Sequence, residues 1–204
     1  MAHPEQYEYC LEVRRKFPQF FTEKKVLDVG SLDVNGNNRS LFHNCDYTGI
    51  DVGPGKNVDT VSLGHQHDVP EQTYDTIIST ECFEHDLYFP QTFAHIVRLL
   101  KNRGLFLFTA GGEGRHEHGT LRSDGGVDSP LTSKIPCWEN YYRNVDERWF
   151  RSFFDIDANF SKFEFCYLET TRDIRFWGIK ISATLPHQSS QSPTSPGKVV
   201  EESC

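Results

Sequence analysis

Asp28, Gly30 and Asp51 are the residues of this chain whose types and spacing most directly imply chemistry. Asp28 and Gly30 close the apolar run that begins at Val26, in "VLDVGSLDVNG". Asp51 closes the next apolar run, "YTGID". A carboxylate at that second strand end can accept hydrogen bonds from both hydroxyls of a ribose. A glycine just past the first lets the backbone approach a ligand. Together they mark a nucleotide-type cofactor lying across the carboxyl ends of two parallel strands. Acid–base candidates follow. "STECFEHD" carries Glu81, Glu84 and His85, and "GGEGRHEHGT" carries His116 and His118. An imidazole titrates near neutral pH and can take a proton from a hydroxyl or amine nucleophile. His65/His67 and His116/His118 are HxH pairs, which share a face in an extended segment and could chelate a metal. Neither has a third ligand at firm spacing, so no metal is expected.

Two cofactor chemistries compete for this arrangement. A dinucleotide needs its pyrophosphate held against the first turn, hence GxGxxG. Here the turn runs Gly30-Ser31-Leu32-Asp33-Val34-Asn35-Gly36, with Leu32 in the place of the second glycine and Asp33 adding negative charge. S-adenosylmethionine has no phosphate; it has a positive sulfonium and an α-ammonium, which carboxylates favour. Asp51 would take the ribose, Asp28 the amino-acid end, and Gly30 the close backbone approach. Ser31, Gly36 and Val52 complete the expected cofactor wall. Read blandly, the glycines are turn residues and Asp51 is a cap.

These residues need strand ends to carry them. The pattern predicts a helix over 4–21 and a buried strand over 26–29. A short helix is expected over 37–45, and strands over 47–51, 57–62 and 74–79. A helix begins at Pro90, buries Phe93, Ile96, Val97 and Leu100, and ends at Gly104. A fifth strand follows over 105–110. The helix expected over 144–154 has Asn144 as cap, with Glu147 completing a capping box. The runs 162–169 and 174–183 are joined by only "TTRD", too short for a crossover, so they form an antiparallel hairpin. The fold class is α/β: a doubly wound, mostly parallel seven-stranded sheet with an antiparallel terminal hairpin. Residues 111–144 make a connection far longer than usual, read as a lid. Within it, Arg115 or Arg122 would meet an acidic group and Tyr141 and Tyr142 would wall a pocket.

Size and composition suit that picture. A chain of 204 residues with 16 Phe, 8 Tyr and 3 Trp can fill one core, so residues 1–185 are expected as one domain and 186–204, rich in Ser, Pro and Gln, as a disordered tail. A net charge of -8 argues against a nucleic-acid surface, and Arg14-Arg15-Lys16 reads as a solvated helix face. The six cysteines form no CxxC pair and are expected as reduced thiols. No apolar leader or run of membrane-spanning length is present, so a soluble, cytoplasmic protein without membrane partners is expected.

The segments "VLDVGSLDVNG", "YTGIDVGPGKNVD", "YDTIISTECFEHD" and "IVRLLKNRGLFLFTAGG", with the terminal hairpin, resemble the class I S-adenosylmethionine-dependent methyltransferases, closest to the small single-domain type 11. The second glycine usual in that family's first motif is Leu32 here. The resemblance implies that Asp68 and Val69 line the adenine pocket and that Glu81 stands at the cofactor's methionine. It also places His85 at the substrate mouth; His116 and His118, in the long connection read as a lid, are the alternates to it as base. The activity implied is methyl transfer to oxygen or nitrogen of a small-molecule acceptor; the oligomeric state is left open. Two rival readings stand beside it. One is a catalytically inactive binding or regulatory module of the same shape. The other is a nicotinamide oxidoreductase, for which no dinucleotide turn or Tyr-xxx-Lys pair is present.

Overall fold

A computed structural model describes residues 4–182. Its seven strands are β1 Lys25–Val29, β2 Asp46–Asp51, β3 Thr60–Val61, β4 Tyr74–Thr80, β5 Leu100–Gly111, β6 Phe160–Leu168 and β7 Asp173–Lys180. They form one sheet in the order β3-β2-β1-β4-β5-β7-β6. Strands β1 to β5 pair in parallel, and β7 runs antiparallel to both β5 and β6. The order reverses between β1 and β4, which opens a crevice at their carboxyl ends. The doubly wound sheet with its antiparallel terminal hairpin is the architecture expected.

The alternation of apolar residues along the inner strands explains why both faces are covered. In β5, Leu105 and Leu107 face one side with Val26, Ile78 and Trp177; helix α1 (Pro4–Lys16) covers them through Tyr9, Cys10 and Val13. Phe106 and Phe108 face the other side, under α2 (Phe89–Leu99) and α3 (Glu147–Phe153). There the phenylalanines pack edge to face; the Phe93 and Phe150 ring centroids stand 4.3 Å apart.

Five local expectations are corrected. The helix expected over 4–21 ends at Lys16, because Pro18 biases Phe17 away from helical backbone, and a single 3-10 turn follows. Residues 37–45 hold only a 3-10 turn, Arg39–Leu41. The Asn37 side chain bonds the Arg39 N–H, and buried Asn38 bonds Gln6 and Thr80, so both amides serve local structure instead of a helix. The third strand shrinks to two residues, since Asn57 takes a left-handed conformation and braces Ser31 and Arg39. Helix α2 stops at Leu99, and Gly104 lies inside β5: a Cβ there would stand 2.9 Å from the Asp75 carbonyl, so glycine serves close strand approach. Asp146, not Asn144, caps α3 by accepting from the Trp149 N–H at 2.7 Å, while Asn144 donates to the Arg115 carbonyl. A one-turn helix α4 (Ile156–Asn159) then leads into β6. The five cysteines among the described residues are free. Neither the expected domain boundary at 185 nor the tail falls within the described residues. Among them no helix is long and apolar enough to cross a membrane.

Candidate functional site

The carboxyl ends of β1, β2 and β4 border a cleft of about 910 Å³, its open mouth included. Asp28, Gly30, Ser31, Gly36, Asp51, Val52 and Glu81, all expected at the cofactor, line it. Gly30 has φ +79, and a Cβ there would meet Cys82 Sγ at 2.4 Å, so only glycine fits this turn. The Leu32 N–H donates to Asp51 Oδ2 at 3.0 Å and the Val52 N–H to Oδ1 at 2.8 Å. Two backbone donors thus aim the carboxylate, while burial pushes its pKa upward.

Asp28 is more strongly perturbed. Tyr47 Oη donates to its Oδ2 at 2.6 Å, and its Oδ1 is buried with no hydrogen-bond partner. Burial raises its pKa to about 7. Glu81 Oε1 accepts from Thr109 Oγ1 at 2.7 Å; burial, reinforced by Glu84 and Asp173, raises its pKa to about 7 as well. Glu81 also has φ +51, a strained backbone at the end of β4. Buried carboxylates held close to neutrality suit a cationic ligand, which would stabilise their charged forms. The same turn suits a pyrophosphate poorly, because the Leu32 N–H is already committed to Asp51. Asp33 lies outside the cleft: Lys56 neutralises it at 2.8 Å, and Gly36 N–H and Asn37 Nδ2 hold it in the turn.

The long connection folds over the cleft. Asp128, Ser129, Pro130, Leu131 and Thr132 line it, with Trp138, whose indole N–H donates to the His85 carbonyl. Trp138 is the aromatic wall that had been expected from Tyr141 and Tyr142, neither of which lines the cleft. Arg115 and Arg122 are spent on the protein itself: Arg115 bonds Asp173 at 2.8 Å and the Thr171 carbonyl, and Arg122 bonds Glu117 at 2.6 Å.

The histidines separate. His85 lines the cleft, and burial lowers its pKa to about 4, so it is a neutral imidazole at physiological pH. His118 stands beside it, ring centroids 5.0 Å apart, but does not line the cleft. His116 is exposed and contributes only its carbonyl, to His118 Nδ1. Neither HxH pair chelates: His67 Nε2 bonds Tyr74 Oη at 2.8 Å, and His65 packs on Tyr88. The spacing argument against a metal nevertheless fails, because folding brings His118 to Glu84 and His85 from a distant segment.

Asp68 and Val69 are the clear misplacement. Asp68 is exposed, the Val69 N–H donates to the His67 carbonyl, and Val69 packs on the core beneath α2. Ser62 and Gly64 line the cleft on that side instead. Asn38 and Asp86 also line it and escaped notice. Asn38 sits in a stretch that reads as a helix, and Asp86 stands beside the more conspicuous Glu84-His85 pair.

A mixed seven-stranded sheet in this strand order, with a cleft at its reversal point, has a Rossmann-like methyltransferase architecture. A family model described as a methyltransferase domain matches residues 1–157. The chain belongs to that methyltransferase family, of the class I S-adenosylmethionine-dependent kind. No curated protein matches it. Among solved structures it is similar to 1,6-didemethyltoxoflavin-N1-methyltransferase of Burkholderia thailandensis, at 15% identity and TM-score 0.53, over 89% of this chain and 92% of that one. It is similar to a SAM-dependent methyltransferase from Aquifex aeolicus, at 13% identity and TM-score 0.55, over 89% and 100%. Phosphoethanolamine N-methyltransferase 2 of Haemonchus contortus matches at 14% identity and TM-score 0.59, over 86% and 53%.

Proposed function

We propose that this enzyme binds S-adenosylmethionine across β1, β2 and β4 and methylates an oxygen or nitrogen of a small molecule. The observation that carries the reading is the line of carboxylates along one cleft: half-buried Asp51, held by two N–H donors, then buried Asp28 and Glu81, whose pKa values burial raises to about 7. When bound, the cofactor supplies an electrophilic methyl group and its own leaving group. The protein's part is to bind, orient and keep water out. Asp51 accepts from the ribose hydroxyls. Asp28, with Tyr47 on its far oxygen, and Glu81 meet the cationic amino-acid end. Gly30, Ser31 and Gly36 let the backbone close on it, and Val52, Ser62 and Gly64 border the base in place of Asp68 and Val69.

Leu131 and Trp138, from the long connection, line the cleft where the acceptor would enter. His85 is the group at the mouth with a free lone pair, able to take a proton or hold an electrophile. His118 supports it from behind; exposed His116 has no part. Because Arg115 and Arg122 are internally paired, the acceptor need not be acidic. The solved Burkholderia enzyme, bound to 1,6-didemethyltoxoflavin and S-adenosylhomocysteine, supports a small acceptor by analogy.

Calorimetric titration with S-adenosylmethionine tests the reading. Asp51→Ala should weaken binding by about tenfold or more, the loss of hydrogen bonds to a charged group. Incubation with labelled cofactor and fractionated small metabolites should release S-adenosylhomocysteine in one fraction. No binding heat would support the inactive-module reading instead.

A further inference from the structure

A second group of side chains reaches back from the cleft wall at His85. Glu84, His85 and His118 each turn one ligating atom to a common point, all within 4.8 Å of one another. Glu84 is fully buried, His85 nearly so, and the His118 side chain is 13% exposed. Glu84 Oε2, both ring nitrogens of His85, His118 Nε2 and the Tyr142 hydroxyl are buried without hydrogen-bond partners. Buried polar atoms are normally paired, so five orphans in one place call for a ligand. Ion pairing within the cluster does not supply it: His118 Nε2 stands 3.9 Å from Glu84 Oε1.

The surroundings hold these groups in ligating form. His118 Nδ1 donates to the His116 carbonyl at 3.0 Å, which leaves the Nε2 lone pair facing the cluster. The Gly111 N–H donates to Glu84 Oε1 at 3.0 Å and so fixes the carboxylate. The Trp138 indole fixes the His85 backbone. Gly119, at φ +69, packs against the His85 ring, where a Cβ would stand 2.6 Å from Cε1.

We propose that Glu84, His85 and His118 bind a first-row divalent transition metal of the zinc class, with an open coordination position toward the acceptor end of the cleft. Two imidazoles and one carboxylate are a known donor set for metals that keep a site open to solvent or substrate. Magnesium and calcium prefer six or more oxygens and are disfavoured here. Donors about 2.1 Å from a tetrahedral ion stand about 3.4 Å apart, so the side chains need close by only about an ångström. A metal there would polarise an acceptor oxygen and stabilise its deprotonated form, in place of proton transfer to His85, whose lone pair it would occupy; among the described residues no Lys or Arg lines the cleft. The proposal concerns metal binding alone and stands whether or not the acceptor is identified.

The test uses the full chain, stripped with chelator and titrated with Co²⁺ alone, then with Zn²⁺ in competition. One equivalent of cobalt should bind, with visible d–d bands and no thiolate charge-transfer band, and zinc should displace it. His118→Ala, at the least buried ligand, should lower zinc affinity about a hundredfold or more while the thermal midpoint of the metal-free protein stays near that of the parent. Zinc X-ray absorption on the unmodified protein should show two imidazoles, independently of how any variant folds. The proposal is overturned by failure to bind cobalt or zinc, by thiolate ligation, by equal displacement with magnesium, or by His118→Ala and His85→Ala variants that bind as the parent does.

Discussion

Asp28 ties cofactor affinity to pH, and Asp28→Asn isolates its share. Its folded pKa of about 7 means that at pH 7 about half the carboxyls carry a proton. A ligand bearing an ammonium requires the ionised form, so binding releases that proton. The ionised fraction is about one in two at pH 7, about one in eleven at pH 6 and about one in a hundred at pH 5. Asp28's share of the rise in the dissociation constant for S-adenosylmethionine should therefore be about fivefold from pH 7 to pH 6, then about tenfold over the next unit, with Glu81 adding its own. This window lies below the titration of a free α-amino group, roughly 7.7–8.0, so the ligand's charge stays constant. In Asp28→Asn, affinity at pH 7 should drop and the slope should fall to what Glu81 supplies. Stability moves the other way. The folded pKa lies above the ordinary value of 3.8, so the fold favours the protonated form. That contribution is complete below the unfolded pKa and is lost as pH rises through about 7, to a ceiling of about 4 kcal/mol. Asp28→Asn should thus raise the melting temperature at pH 8 and have little effect near pH 4. Isothermal titration at several pH values with calorimetric melting measures both. A flat affinity profile in the parent, or an unchanged slope in Asp28→Asn, would refute the reasoning.

Gly30→Ala should lose roughly 2–5 kcal/mol, combining about 1–2 for left-handed backbone with about 1–3 for the contact with Cys82. Denaturant unfolding reads it, and Cys82→Gly in the same chain should restore the steric part alone. Asp146→Ala should cost about 1 kcal/mol through loss of the α3 cap, with cofactor binding unchanged by calorimetry.

The cleft floor was legible because its residues lie at strand ends, and a strand end is where an apolar run meets a carboxylate or glycine. Asp28, Gly30 and Asp51 announce themselves that way. The hairpin was legible because "TTRD" has no length for a crossover. What lay across the chain was not legible. Asp68 and Val69 sit at the expected sequence offset, but His67 bonds Tyr74 and His95 and draws the segment toward α2, away from the cleft. His118 reaches Glu84 only because Asn144 and Arg115 fold the long connection back on itself, and no local pattern encodes such a meeting. Asn38 reads as a helix residue until its burial between Gln6 and Thr80 is seen. Arg115 looks free for a ligand until its partner arrives from the far end of the fold, at Asp173.

Among the described residues strand β7 comes last in chain order yet lies inside the sheet, between β5 and β6. Its first residue, fully buried Asp173, anchors Arg115 at the foot of the cleft's roof. Take that wedge away and the facing edges of β5 and β6 lose their backbone partners together, while Arg115 loses its carboxylate.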